Sequence, residues 1–181
     1  ILLALLLVYS SWLSFNILSF KTYKAPEPIV SPLEVQGVYH IHTSLSDGRK
    51  NPDEIAKLAS KASLDFIILI DHGSPNQKSY SSQGWKNGLL VLTGSELSVS
   101  RGHLVALDYR LPSHNFSPNA EEAVWGIIGA GGFSIIAHPH SKVQWSWGEF
   151  IEYSGIEIVN ADSMFREDII SSLPYFPALL L

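Results

Sequence analysis

An α/β chain with a mainly parallel sheet is the fold class that this sequence predicts. Short uninterrupted apolar runs recur along it, the mark of strands buried on both faces, and stretches with helix-start signals fall between them. A further pattern points beyond the fold: run after run ends in a histidine or a carboxylate.

Residues 1–20 carry no charge and open with Ile-Leu-Leu-Ala-Leu-Leu-Leu-Val. That length suits one bilayer-spanning helix, although Ser10, Ser11, Ser14, Asn16 and Ser19 dilute its second half. The segment reads as an uncleaved membrane anchor. A signal-peptide core is the alternative, but no convincing small-x-small cleavage site follows. Lys21 and Lys24 beside it place the following domain on the cytoplasmic side. The chain opens with Ile rather than Met, so residues are expected upstream. Residues 25–32, Ala-Pro-Glu-Pro-Ile-Val-Ser-Pro, read as a stiff extended linker.

The stretch 37–48 is the first strand and turn. Val38, Tyr39 and Ile41 favour a strand, which sends His40 and His42 to the same face. Ser46-Asp47-Gly48 is a turn that can swing Asp47 back to the strand end. Two imidazoles and a carboxylate so placed suit Zn, Mn or Fe. For this stretch alone, a strand with alternating histidines and an ordinary Asp-Gly turn is the alternative.

Asn51-Pro52-Asp53-Glu54 is a helix start, with Asn as N-cap, Pro at the first position and Glu at the third. Ile55, Leu58, Ala59 and Ala62 follow as the apolar stripe. Strands are then expected over 65–70, ending in Asp71-His72; over 89–96, ending in Glu96; and over 101–107, with His103 at its beginning. Ser117-Pro118 opens another helix, with Ala123, Val124, Ile127 and Ile128 as its stripe. Residues 133–137 form a strand ending in His138-Pro139-His140, and 155–159 another ending at Asn160. Ser163 caps a last helix through Ile170, and 173–181 turns apolar again.

With 181 residues the chain is about one domain's worth, and 46% apolar content is enough for a core. A formal net charge of −5 without a basic run makes a stable nucleic-acid complex unexpected, while leaving a nucleotide open as a small substrate. The absence of cysteine excludes disulfides, thiolate zinc sites and a cysteine nucleophile. Four strands end in a potential ligand: His42, His72, Glu96 and His138. Polar groups collected at the carboxyl ends of parallel strands are how barrel enzymes build active sites, so a metal centre is expected here.

The set His40-x-His42-Thr43-x-x-Ser46-Asp47-Gly48, Asp71-His72, Gly94-x-Glu96, Gly102-His103 and Ala137-His138-Pro139 resembles, in motif order, the polymerase and histidinol phosphatase (PHP) family. The resemblance covers residues 36–162. It implies a distorted TIM-like barrel of seven β/α units, of which this chain would supply about five strands. It also implies a centre of two or three divalent ions (Mn, Zn or Fe) that hydrolyses phosphate esters with a metal-activated water. Carried over by position, His40 and His42 would hold a first ion, and Glu96 would bridge it to a second held by His103 and His138. Asp47 and His72 would hold a third, and Glu96, His138 and Asp47 would stand at the reacting centre. The family's closing Asp-x-His has no counterpart, since no histidine follows His140, so a fragment or degenerate copy is expected.

The implied organisation is an anchor helix over 1–20, a linker over 21–35 and an incomplete PHP-type domain over 36–181. The implied partner is a small phosphorylated substrate or a phosphoprotein. Two alternatives stay open: a metal hydrolase of a non-phosphate bond, and a catalytically inactive PHP-like domain kept as a membrane scaffold. Asp71 is read either as a carboxylate that orients an imidazole or as an ordinary turn residue. His114, His140, Arg49, Lys50 and Lys142 are read as loop residues, and Trp145 and Trp147 as packing residues rather than pocket walls.

Overall fold

The computed structural model describes residues 2–19 (side chains to residue 15), 34–110, 115–139 and 145–160. The chain divides into two units, Ile1–Glu34 and Val35–Leu181. His114, His140, Lys142, residues 21–33 of the expected linker, the expected last helix and the apolar tail lie outside the described residues.

In the first unit a helix, α1, runs over Leu2–Ser19. Its 18 residues rise about 27 Å. Serines interrupt the apolar run, and the Ser10 hydroxyl donates to the Leu6 carbonyl. Among the described residues no helix is long and apolar enough to cross a membrane. That finding corrects the expected anchor and, with it, the expected membrane-anchored, cytoplasm-facing location.

The second unit is built on a curled, half-barrel sheet. Its strands are β1 (Gly37–Ile41), β2 (Phe66–His72), β3 (Gly84–Lys86), β4 (Leu89–Val99), β5 (Gly102–Leu107), β6 (Phe133–Ala137) and β7 (Gly155–Ile156). Among the described residues the order is β1-β2-β4-β5-β6-β7, with β3 beside β4. The sheet is mixed rather than mainly parallel. β1, β2 and β4 pair in parallel and β6 pairs so with β7, but β5 runs against both β4 and β6, and β3 runs against β4. The reversal of β5 explains why its histidine comes first: His103 lies opposite Ser98 and Ala137, at the edge where the parallel strands finish.

The β3–β4 hairpin was not foreseen, although Asn87-Gly88, with φ of 52° and 85°, is a strong two-residue hairpin signal. β4 runs three residues past Glu96, because the tight turn at Ser100-Arg101 lets it pair with β5 as far as Val99 and Gly102. β7 covers only the start of the expected 155–159 strand.

Helix α2 (Pro52–Lys61) begins where the capping pattern places it. The Asn51 side chain accepts from the Glu54 N–H, and the Glu54 carboxylate accepts from the Asn51 N–H. Its buried stripe is Ala56 and Ala59 with Ile55 alongside, whereas Leu58 and Ala62 face outwards. Helix α3 (Ala120–Gly129) starts two residues later than expected. Asn119 is its N-cap, while the Ser117 hydroxyl instead accepts from Asn119 N–H and donates to Glu122. Ala123, Val124 and Ile127 are buried as expected, and Ile128 is exposed.

Strand alternation gives the sheet two distinct faces. Ile67, Leu69, Leu89 and Val91 pack under α2; Leu97, Leu104, Ala106 and Ile136 pack under α3 with Phe116 and Trp147. The opposite face carries Ile68, Ile70, Val105, Leu107, Ile135 and Ala137. By the same period of two, His72, Glu96 and His103 continue that second face to the edge of the sheet. The core therefore delivers three of the predicted site residues as a consequence of register alone.

Candidate metal centre

Glu96 is the middle of the site. It is 1% exposed, and both of its oxygens are occupied. Oε1 lies 2.8 Å from His103 Nδ1 and 2.8 Å from His138 Nε2. Oε2 lies 2.9 Å from His42 Nε2, 3.3 Å from His40 Nε2 and 3.4 Å from His72 Nδ1. The imidazoles form a closed circuit around it. Ring centroids are 5.2 Å apart for His40–His42, 4.7 Å for His42–His72, 5.5 Å for His72–His103, 5.0 Å for His103–His138 and 5.6 Å for His138–His40. Asp47 stands behind this circuit, 2.6 Å from His42 Nδ1 and 3.7 Å from His72 Nε2.

Simple strand alternation does not place the first pair. The β1–β2 register shifts between Val38 and Ile41, and His40 takes a left-handed φ of 61°. Such a bulge re-aims a side chain. His42 follows the end of the strand, and the two rings stack in parallel, 6° apart in plane. His138 also has a positive φ, 27°. Non-glycine residues held this way cost roughly 1–3 kcal/mol and persist where the surroundings over-determine them.

The turn that carries Asp47 is pinned from below. Asp71, fully buried, accepts from Thr43 N–H at 2.7 Å, Thr43 Oγ1 at 2.8 Å, Ser46 Oγ at 2.7 Å and Ser79 Oγ at 2.9 Å. It touches no imidazole in these contacts, so its task is to shape the loop from Thr43 to Gly48. Gly48 N–H closes that loop on the Thr43 carbonyl at 2.9 Å, and a Cβ at Gly48 would overlap the His42 carbonyl.

The electrostatics follow from the crowding. Burial pushes the Glu96 carboxyl up, but the imidazoles of His103, His138, His40 and His42 outweigh it and hold the group well below the usual carboxylate range. Burial opposes charge on His40, and the Glu157 and Glu96 carboxylates overcome it, raising His40 to about 9. His42 is raised by Glu96, with Asp47 adding, and Asp47 is lowered by His42. Glu157 is lowered: burial opposes, and His40 and the His138 N–H prevail.

Glu157 is the site residue that sequence reasoning missed. Its side chain is 6% exposed and pairs with His40 Nδ1, and its second oxygen accepts from the His138 N–H at 2.7 Å. The signal is present in the sequence, a carboxylate inside the apolar run Gly155-Ile-Glu-Ile-Val159, three residues before the expected strand end at Asn160.

All seven residues singled out in the sequence stand in this cluster. They form three groups whose nitrogen and oxygen atoms lie within 4.8 Å of one another: His40, His42 and Glu96; Glu96, His103 and His138; and His42, Asp47 and His72. His42 thus borders two groups, where the family pattern implied one. Five imidazoles on one carboxylate exceed its roughly four lone-pair sites. Convergent imidazole and carboxylate donors of this kind fit divalent cations. A cavity of about 320 Å³ opens beside His103 and His138, with Ser98, Arg101, Ser146 and Trp147 among its lining. Trp147 is buried in the core beneath it, and Trp145 donates its indole N–H to the Gly148 carbonyl.

No family model and no curated protein sequence matches the chain. Among solved structures, a Bifidobacterium adolescentis protein assigned as a metal-dependent phosphoesterase aligns with a TM-score of 0.54 at 16% identity, over 77% of this chain and 85% of its own. An amidohydrolase from Chromobacterium violaceum aligns at 0.49 and 17% identity, over 74% and 82%. A two-domain Bacteroides vulgatus protein containing a predicted PHP-like metal-dependent phosphoesterase aligns at 0.43 and 21%, over 59% and 35%. What the Bifidobacterium likeness shows is the fold: this chain is built on that protein's architecture.

Proposed function

We propose that this chain is a metal-dependent hydrolase of the PHP family that cleaves a phosphate ester in a small substrate. The observation that carries the reading is Glu96, one buried carboxylate met by five imidazoles at 2.8–3.4 Å. Divalent ions held there supply Lewis acidity and a water activated at neutral pH. Manganese, zinc and iron all suit this imidazole and carboxylate set.

The chain's own residues divide the remaining work. Glu96 belongs to two of the three groups, so its charge would offset the repulsion between cations held in both. His40 and His42 turn Nε2 towards it on one side; His103 and His138 close the other. Asp47, 67% exposed on its side chain, forms the open side with His72, where a phosphate would arrive from solvent. The cavity beside His103 and His138 is at the small end of ligand pockets, which favours a small leaving group over a polymer.

The test is metal analysis followed by turnover of a panel of small phosphate esters, read as phosphate release from phosphomonoesters and alcohol release from phosphodiesters. Release that is lost with EDTA and restored by manganese, zinc or iron is the expected result. A metal-loaded protein that hydrolyses no member of the panel refutes the phosphoesterase reading.

A further inference from the structure

We propose that Glu157 is a positioning residue that sets two of the ligand groups at once. The inference rests on the metal-dependent reading above and concerns a residue outside the seven that the sequence patterns single out.

The geometry is specific. One Glu157 oxygen pairs with His40 Nδ1, and the other accepts the backbone N–H of His138 at 2.7 Å. A carboxylate can only accept, so His40 carries a proton on Nδ1, and Nε2, which faces Glu96, is the nitrogen that a cation would take. A carboxylate behind a ligating imidazole fixes its tautomer and ring orientation. The second contact acts on the backbone, holding the point where β6 ends and His138 begins.

A second observation comes from the backbone itself. Five described non-glycine residues have positive φ: His40, Ser63, Asn87, Asp108 and His138. Two of them are imidazole residues of the cluster, and both are held by Glu157. They belong to different groups, His40 with His42 and Glu96, and His138 with His103 and Glu96. One side chain, 117 residues from His40 in sequence, therefore restrains the two unfavourable conformations that aim these rings. Glu157 reaches them because its own N–H is bonded to the Ile136 carbonyl, just past the two-residue pairing of β7 with β6.

Zinc binding separates positioning from plain stability. Wild type, Glu157→Ala and Glu157→Gln are titrated with Zn2+ against a competing chelator, with folding checked by circular dichroism and urea melts. The expected result is a loss of Zn2+ affinity of about 10–100-fold in Glu157→Ala, with the fold retained. Glu157→Gln keeps one acceptor and should lose less. In the zinc-loaded wild type the His40 Nδ1–H should show by NMR the downfield proton of a bond to a carboxylate, and that shift should be lost in Glu157→Ala. Unchanged Zn2+ affinity in both folded variants overturns the proposal while leaving the proposed function standing. Failure of both variants to fold overturns it in favour of a purely structural role. Wild type that binds none of Zn2+, Mn2+ and Fe2+ refutes the proposed function and this inference together.

Discussion

Replacing Glu96 by Gln should remove two ligand groups and spare the third. The carboxylate belongs to the groups with His40 and His42 and with His103 and His138, but not to the group of His42, Asp47 and His72. Whichever way the amide sits, its NH2 points at the two imidazoles now served by Oε1 or at the three served by Oε2. At about 3 Å and an effective dielectric of about 20, a unit charge facing a unit charge is worth roughly 5 kcal/mol. Desolvation of the carboxylate takes back part of that. The net effect should still exceed the roughly 100-fold typical of an outer-shell partner, so a loss of about 10²- to 10⁴-fold in affinity is expected at each affected position. Metal stoichiometry after dialysis against a weak chelator, with Zn2+ titration, measures both number and strength. Asp47→Asn should give the complementary pattern, weakening only the third group. Wild-type stoichiometry in Glu96→Gln, or the same loss in both variants, would refute the reasoning.

Two further predictions rest on the same contacts. Asp71→Ala strands donors from Thr43, Ser46 and Ser79 and should cost about 2–4 kcal/mol in urea unfolding, with Asp71→Asn milder; a change under about 0.5 kcal/mol would show that the loop does not depend on it. In the EDTA-stripped protein, His40 is raised from 6.5 to about 9, so its stabilisation is complete below about pH 6.5 and lost as pH rises through about 9, on the order of 3 kcal/mol. The lowered Glu96, Glu157 and Asp47 act in the opposite sense: their contribution is present above their ordinary values near 4 and fades as pH falls below them. Metal-free stability should therefore peak between about pH 5 and 6.5, and urea midpoints that rise from pH 6 to pH 9.5 would contradict the assignment.

What could be read from the linear chain was whatever neighbouring residues encode among themselves. The Asn51–Glu54 capping box, the apolar runs of β2, β4 and β6, and the donor types at their ends are local chemistry, and they appear in the structure where they were expected, except that β4 continues three residues past Glu96. The α2 stripe was shifted, with Ala56 inward and Leu58 outward, because two helical faces are separated by a single residue. The hydropathy of residues 1–20 misled: among the described residues no helix is long and apolar enough to cross a membrane.

Tertiary structure decided what depends on strand order. Only the reversal of β5 puts His103 on the edge shared with Glu96 and His138, and only the bulge in β1 turns His40 onto His42. Asp71 proved to serve its loop rather than an imidazole because three hydroxyls and an N–H from distant positions reach it first. Glu157 could not be paired with His40 in advance, since nothing local to either residue records a contact across 117 positions. Ligand types are written in the residues themselves; which nitrogen faces which oxygen is set by the register of strands far apart in the chain.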